Sequence, residues 1–284
     1  MKTDFAFKKI FGTDGSKDIL LSFLNAVIHF DGHRIEDLEI LDPYQIPLVE
    51  GMKDSYVYVK AKLDNGTYVI IEMQVLNVEG LEQRILYNAA KSYSIQIARG
   101  EQYAALMPVV ALTLTDFIMF KDSDDVRSEY RMKEVKHLRD YNGDLQLVFY
   151  ELPKFLKTVD ELETSEDKWL YFVKKARNLD FKPATLTSIP EIDHALDIAN
   201  EDGYSCHDLE IQHKRMDFIM LLRGSIEKAK ADGFAEGLMI GEAKRQNEER
   251  IEIIQHMKAI GITTDEIARV TGLQRDDIEK IDGK

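Results

Sequence analysis

Two strand-like runs joined by a short polar turn constrain this chain more than any other feature. Tyr56-Val57-Tyr58-Val59-Lys60-Ala61-Lys62 and Tyr68-Val69-Ile70-Ile71-Glu72-Met73-Gln74-Val75 flank Leu63-Asp64-Asn65-Gly66-Thr67, a pattern that predicts a β-hairpin. Side chains alternate along a strand, so Glu72 and Gln74 share one face and Met73 points away. The turn decides what lies opposite them. A two-residue Asn65-Gly66 turn pairs Leu63 with Tyr68 and sets Tyr58 across from Met73. A three-residue loop, Asp64-Asn65-Gly66 with a left-handed glycine, pairs Leu63 with Thr67 and sets Tyr58 across from Glu72. The second register is the one expected here, with Tyr58, Lys60, Lys62, Ile70, Glu72 and Gln74 on one face.

Around the hairpin, helical and extended patterns alternate. Phe5, Phe7, Ile10 and Phe11, then Ile19, Leu20, Phe23, Leu24, Val27 and Ile28, recur at helical spacing on either side of a glycine-containing break. From Leu81 to Arg99 the positions Leu81, Ile85, Asn88-Ala89, Ser92-Tyr93 and Ile97 fit a period near 3.6, and Gly100 is the expected stop. Pro108 to Leu114 reads as a buried strand and Leu145 to Leu152 as another, ended by Pro153. Helix, hairpin, helix and two further strands predict an α/β layer structure with a mixed central sheet. Residues 1–158 are expected to form this core, 159–228 a helical extension packed on it, and 229–284 a helical tail.

Within the tail, Gly233, Gly237 and Gly241 recur every four residues with Ala229, Ala235 and Ala243 nearby. The surrounding Lys, Asp and Glu exclude a membrane helix. Two readings stay open: a weakly helical connector, or a small-residue seam that lets two helices, one from each of two protomers, come close. Farther on, Ile251, Ile253, Ile254, Met257 and Ile260 form an apolar face stopped by Gly261, and Thr263-Thr264-Asp265-Glu266 reads as a capping box. A helix-turn-helix would need a basic reading helix. Here Arg275 and Lys280 stand among Asp276, Asp277, Glu279 and Asp282, which repel phosphate, so the unit reads as a dimerisation or partner-binding module.

Composition narrows the function. The chain has 284 residues and a formal net charge of -14, which argues against wrapping duplex DNA non-specifically, because phosphate neutralisation supplies most of that affinity. One cysteine excludes a disulfide framework, and the seven histidines show no zinc-ligand spacing. No stretch has the roughly 18 apolar residues of a membrane span, so a soluble, cytoplasmic protein is expected.

The hairpin carries the chemistry. Hydrolysing a phosphodiester takes a divalent cation held by carboxylates and a group that orients water. An Asp on one strand, with Glu-x-Lys or Glu-x-Gln on its neighbour, builds that compactly. Lys53-Asp54-Ser55-Tyr56-Val57-Tyr58-Val59-Lys60-Ala61, Asp64-Asn65-Gly66 and Ile71-Glu72-Met73-Gln74 resemble the recombination-promoting nuclease and transposase family of the PD-(D/E)XK superfamily. The resemblance continues in Asp4 to Gly12, Phe23-Leu24-Asn25-Ala26, Arg84 with Tyr87, Tyr93 with Gln96, Gly100-Glu101-Gln102-Tyr103, Pro108-Val109, Glu151-Leu152-Pro153-Lys154-Phe155 and Lys168-Trp169, over about residues 1 to 245.

This resemblance implies a restriction-endonuclease-like fold and a magnesium- or manganese-dependent DNA endonuclease of bacterial mobile-element biology. It implies that Glu72 is a metal ligand, that Gln74 stands where the superfamily more often has Lys, and that Asp4 is a helix-borne acid. Lys60, Arg84, Tyr93 and Gln96 are the implied nucleic-acid contacts. The departure is Tyr58, which occupies the position of the second metal-binding Asp. A phenol is neutral at pH 7 and a poor magnesium ligand. Asp54 lies roughly 13 Å farther along the strand, too far to substitute. The expectation is therefore a weakened or inactive nuclease, or a nuclease-derived protein kept for DNA binding or for self-association through its C-terminal helices.

Overall fold

The computed structural model describes residues 4–30, 32–45, 55–176, 179, 181–199 and 206–281. The first helices are α1 (Asp4–Phe11) and α2 (Lys17–Val27), whose Phe7, Ile10, Phe11, Leu20, Phe23 and Leu24 are completely shielded. Between α2 and the sheet, the Asn25 side chain ties the chain down. Its amide donates to the Ile35 carbonyl at 2.9 Å, and its oxygen accepts the Ile35 N–H at 2.9 Å.

The strands are β1 (Leu38–Leu41), β2 (Tyr44–Gln45), β3 (Ser55–Tyr56), β4 (Val59–Leu63), β5 (Tyr68–Gln74), β6 (Val109–Thr115), β7 (Arg127–Arg131) and β8 (Leu145–Glu151), with helix α3 (Leu81–Ser94) joining β5 to β6. Six of them form one sheet in the order β1-β4-β5-β6-β8-β7, and β2 pairs with β3. β5, β6 and β8 run parallel, while β1, β4 and β7 are antiparallel to their neighbours. The sheet is mixed, as the order of elements predicts.

The hairpin adopts the three-residue turn. Lys60 pairs with Ile70 and Lys62 with Tyr68, the Leu63 N–H reaches the Thr67 carbonyl at 2.9 Å, and Gly66 has φ 86°. Register and face part company at Tyr58. Its N–H donates to the carbonyl of Ile71, the residue already paired with Val59, so two residues oppose one in a β-bulge. The extra residue resets the alternation. Val57 joins Ile70, Ala89 and Ala111 on the α3 side, whereas Tyr58 packs with the opposite core, its ring 6.4 Å from Phe7. The continuous strand expected from Tyr56 to Lys62 is thus broken at Val57–Tyr58. Asp54 lies outside the described residues.

One face of the sheet is covered by α1 and α2 with α4 (Ser165–Lys175), α5 (Ala184–Thr187) and α6 (Pro190–Ala199). Trp169 is the hub of this layer, with Phe11, Phe23 and Phe172 rings 5.9, 5.6 and 5.5 Å away. The opposite face is covered by α3, through Leu81, Ile85 and Ala89. Helices α4 to α6, expected as an extension, therefore close the main core itself.

The remaining helices are α7 (Cys206–Ala259), α8 (Thr264–Thr271) and α9 (Arg275–Glu279), and the contacts divide the chain into compact units 1–219 and 220–284. Gly233, Gly237 and Gly241 all lie inside α7. In the second unit Ile254, Ile267 and Ile278 are buried together, with Met257, Ile262 and Leu273 against them. Its turns are those the sequence predicts: left-handed Gly261 and Gly272, and the Glu266 carboxylate accepting the Thr263 N–H at 3.0 Å. Among the described residues no helix is long and apolar enough to cross a membrane.

Candidate functional site

The C-terminal end of β5 faces the first turns of α3, because a right-handed β-α-β crossover lays the helix antiparallel over the strands it connects. Glu72 projects from β5 into this seam and is 5% exposed. Three N–H donors surround its carboxylate. Asn88 donates to Oε1 at 2.6 Å, Gln74 donates to Oε2 at 2.8 Å, and an Arg84 Nη2 stands 3.8 Å from Oε2. Burial pushes the Glu72 carboxyl above the ordinary glutamate range, and Asn88, Arg84 and Gln74 each pull it back.

Asn88 is absent from the set read in the sequence, although its position marks it. It falls in the buried stripe Leu81, Ile85, Asn88, Ala89, Ser92, where an amide needs a polar partner. Glu72 is that partner on the facing strand. The Asn88 Oδ1 is buried without a hydrogen bond among the described residues.

Of the other residues expected here, the structure gathers some and disperses others. Gln74 and Arg84 meet at Glu72. The Tyr58 side chain packs on Phe7, yet its hydroxyl is held above its usual range by burial first and by the Glu72 charge second, with Arg84 opposing. Lys60 leans over the Tyr68 ring at 5.9 Å; burial lowers its pKa and the Asp42 charge partly restores it. Tyr93 and Gln96 belong to the other end of α3. Tyr93 donates to Asp144, which pushes its phenol up to about 12, and Gln96 exchanges hydrogen bonds with the Met107 backbone at 3.0 and 2.8 Å. Both are spent holding the loops before β6 and β8. The Asp4 side chain lies outside the described residues.

A second polar cluster sits at the end of β8. Glu151, 1% exposed, accepts the N–H groups of Met119 and Phe120, and Lys154 bridges it to the Phe120 carbonyl. This pair clamps the segment after β6 over Leu81, Ile85 and Phe149, next to the Glu72 seam.

Magnesium prefers about six oxygen ligands near 2.1 Å and takes its charge balance from carboxylates. Around Glu72 the described side chains offer one carboxylate, both of whose oxygens already accept amide N–H bonds, with a guanidinium beside it. Among the described residues no group of three or more His, Cys, Asp or Glu could hold a metal. This donor set does not fit the ion.

Comparison with curated proteins and with solved structures returned no match. The sequence pattern of the PD-(D/E)XK nuclease family transposases matches residues 1–227, which takes in the hairpin, the Glu72 seam and the helices that complete the main core. A mixed sheet flanked by helices, a hairpin bearing Glu72 and Gln74, and a family match over most of the chain agree: the chain belongs to the PD-(D/E)XK nuclease family transposases.

Proposed function

We propose that this chain is a nuclease-derived DNA-binding protein in which metal-dependent phosphodiester cleavage is weak or lost. The observation that carries this reading is the state of Glu72. Its carboxylate is saturated by Asn88 and Gln74 with Arg84 alongside, while Tyr58 takes the place of the second acid and is turned onto Phe7 by the bulge. A carboxylate enclosed by N–H donors holds no cation until those donors are displaced. DNA as the partner rests on membership of the family.

Calorimetric titration with Mn2+ and Mg2+, beside plasmid cleavage, tests this. The wild type is expected to bind neither ion appreciably and to cut weakly or not at all. Tyr58→Asp, at a position whose side chain the bulge turns onto Phe7 and away from the α3 side that bears Glu72, is expected to gain no metal affinity. Robust wild-type cutting that Glu72→Ala abolishes would overturn the reading.

We also infer self-association through α7. Its Phe234, Leu238, Met239 and Ile240 are all more than half exposed, and Phe234 and Leu238 flank Gly233, Gly237 and Gly241 on one helical face.

A further inference from the structure

The loop between β7 and β8 spends conformational energy to show apolar side chains to water. Its backbone is tightly tied: the Glu134 N–H donates to the Arg139 carbonyl at 2.8 Å, Leu138 N–H to the Glu134 carbonyl at 2.9 Å, and Tyr141 N–H to the Met132 carbonyl at 3.1 Å. The Glu134 carboxylate is turned inward, accepting the N–H groups of Lys136 and His137 at 3.0 and 2.7 Å. These bonds hold Leu138 at φ 55°, the one non-glycine with positive φ among the described residues. A leucine has neither glycine's freedom nor asparagine's local hydrogen bonds to favour that conformation. The result is a rigid tip on which Val135 is 92% exposed and Leu138 67% exposed.

Charge tells what the tip meets. Lys133, Lys136 and Arg139 flank the apolar pair in sequence, on a chain whose net charge is -14. Of the nearby acids, Glu134 accepts the loop N–H groups and also stands 3.2 Å from His137 Nδ1 and 3.8 Å from Arg139 Nε, a looser contact that phosphate can replace, and Asp140 faces Lys133 at 3.4 Å. Cations around a small apolar point suit a nucleic acid groove better than a protein surface. Architectural DNA-binding proteins insert Leu, Ile or Met at a base step from the minor groove while Lys and Arg hold the flanking backbone.

We propose that the β7–β8 tip is a wedge for duplex DNA. Val135 and Leu138 enter at a base step, and Lys136 and Arg139 engage the adjoining phosphates. This rests on the DNA-binding reading and gives it a surface. The tip lies beyond the start of β8, whereas Glu72 is level with Phe149, roughly 13 Å farther along the strand direction. Binding at the tip is therefore independent of the Glu72 seam.

The test is anisotropy and end-to-end energy transfer on a labelled duplex of about 30 base pairs. It uses the full chain as wild type, Val135→Ser/Leu138→Ser and Lys136→Gln/Arg139→Gln. All four positions are at the surface, so unchanged melting curves confirm the fold. The apolar double variant is expected to bind about tenfold more weakly and to lose the bend. The cationic one should bind more weakly with a salt slope shallower by about 2. Wild-type binding that both variants retain overturns the wedge and leaves DNA binding standing. No wild-type binding overturns both readings. Loss of self-association with unchanged DNA affinity overturns the wedge in favour of a protein contact.

Discussion

Glu72 shows how one carboxylate serves two incompatible purposes. To hold a cation it must be charged and open to water, yet at this seam it is buried under α3 and bonded to amides. Burial raises its pKa on folding, so the folded chain binds a proton more readily than the unfolded chain at pH values above the ordinary glutamate range. Stability from this group is consequently greatest at low pH and falls as pH rises through the folded value. Glu72→Gln removes that dependence. Asn88 can turn over so that its unpartnered carbonyl accepts from the new amide, and at pH 7 this variant should melt within about 1 kcal/mol of wild type. Glu72→Ala instead strands the Asn88 and Gln74 amides, at a cost of roughly 1–3 kcal/mol for each. Melting both variants from pH 4.5 to 8 decides the matter. If Glu72→Gln melts as low as Glu72→Ala throughout, the network is not what holds this seam. Glu72 and Gln74 were legible because alternation along a strand is local. Asn88 was not singled out, since its role appears only when a helix far along the chain is laid over the strand.

Among the elements, the hairpin was the most legible. Asp64-Asn65-Gly66 sets the register through a left-handed glycine, and the structure keeps it. Gly66→Ala should cost about 1–2 kcal/mol from φ alone. A Cβ there would also lie 2.1 Å from the Met107 Cε, so that side chain must move. Chemical denaturation reads the loss, and an unchanged midpoint would mean that the turn does not select the register. What local pattern did not reveal is the bulge at Tyr58, because an inserted residue leaves no mark on the apolar rhythm. β7 escaped for a related reason. Arg127-Ser128-Glu129-Tyr130-Arg131 is an edge strand guarded by an Arg127–Glu129–Arg131 ion triad, with none of the apolar alternation of a half-buried strand. Tyr93 and Gln96 were legible as meaningful but not as structural. Their partners, Asp144 and Met107, become neighbours only once β6 and β8 line up beside β5.

For the molecule as a whole, charge and apolar surface pull in opposite directions. A net charge of -14 repels both phosphate and a second copy of the chain, so each partner must be met through a local feature that defies it. The two proposed features answer salt with opposite signs. Phosphate contacts at Lys136 and Arg139 release counterions, and their affinity falls as salt rises. Contact along Gly233, Gly237 and Gly241, closed by Phe234 and Leu238, is apolar between like-charged chains. Screening over a Debye length of about 8 Å at physiological salt relieves the repulsion, so association should tighten from 50 mM to 500 mM NaCl. Light scattering across that range should show the average mass of the wild type rising toward a dimer. Phe234→Glu/Leu238→Glu should hold it at one chain, with unchanged helical content by circular dichroism because both side chains are exposed. A wild type of one-chain mass at every salt concentration would leave the seam of α7 as a solvated helix face. DNA affinity that rises with salt would separately contradict the phosphate contacts assigned to the tip.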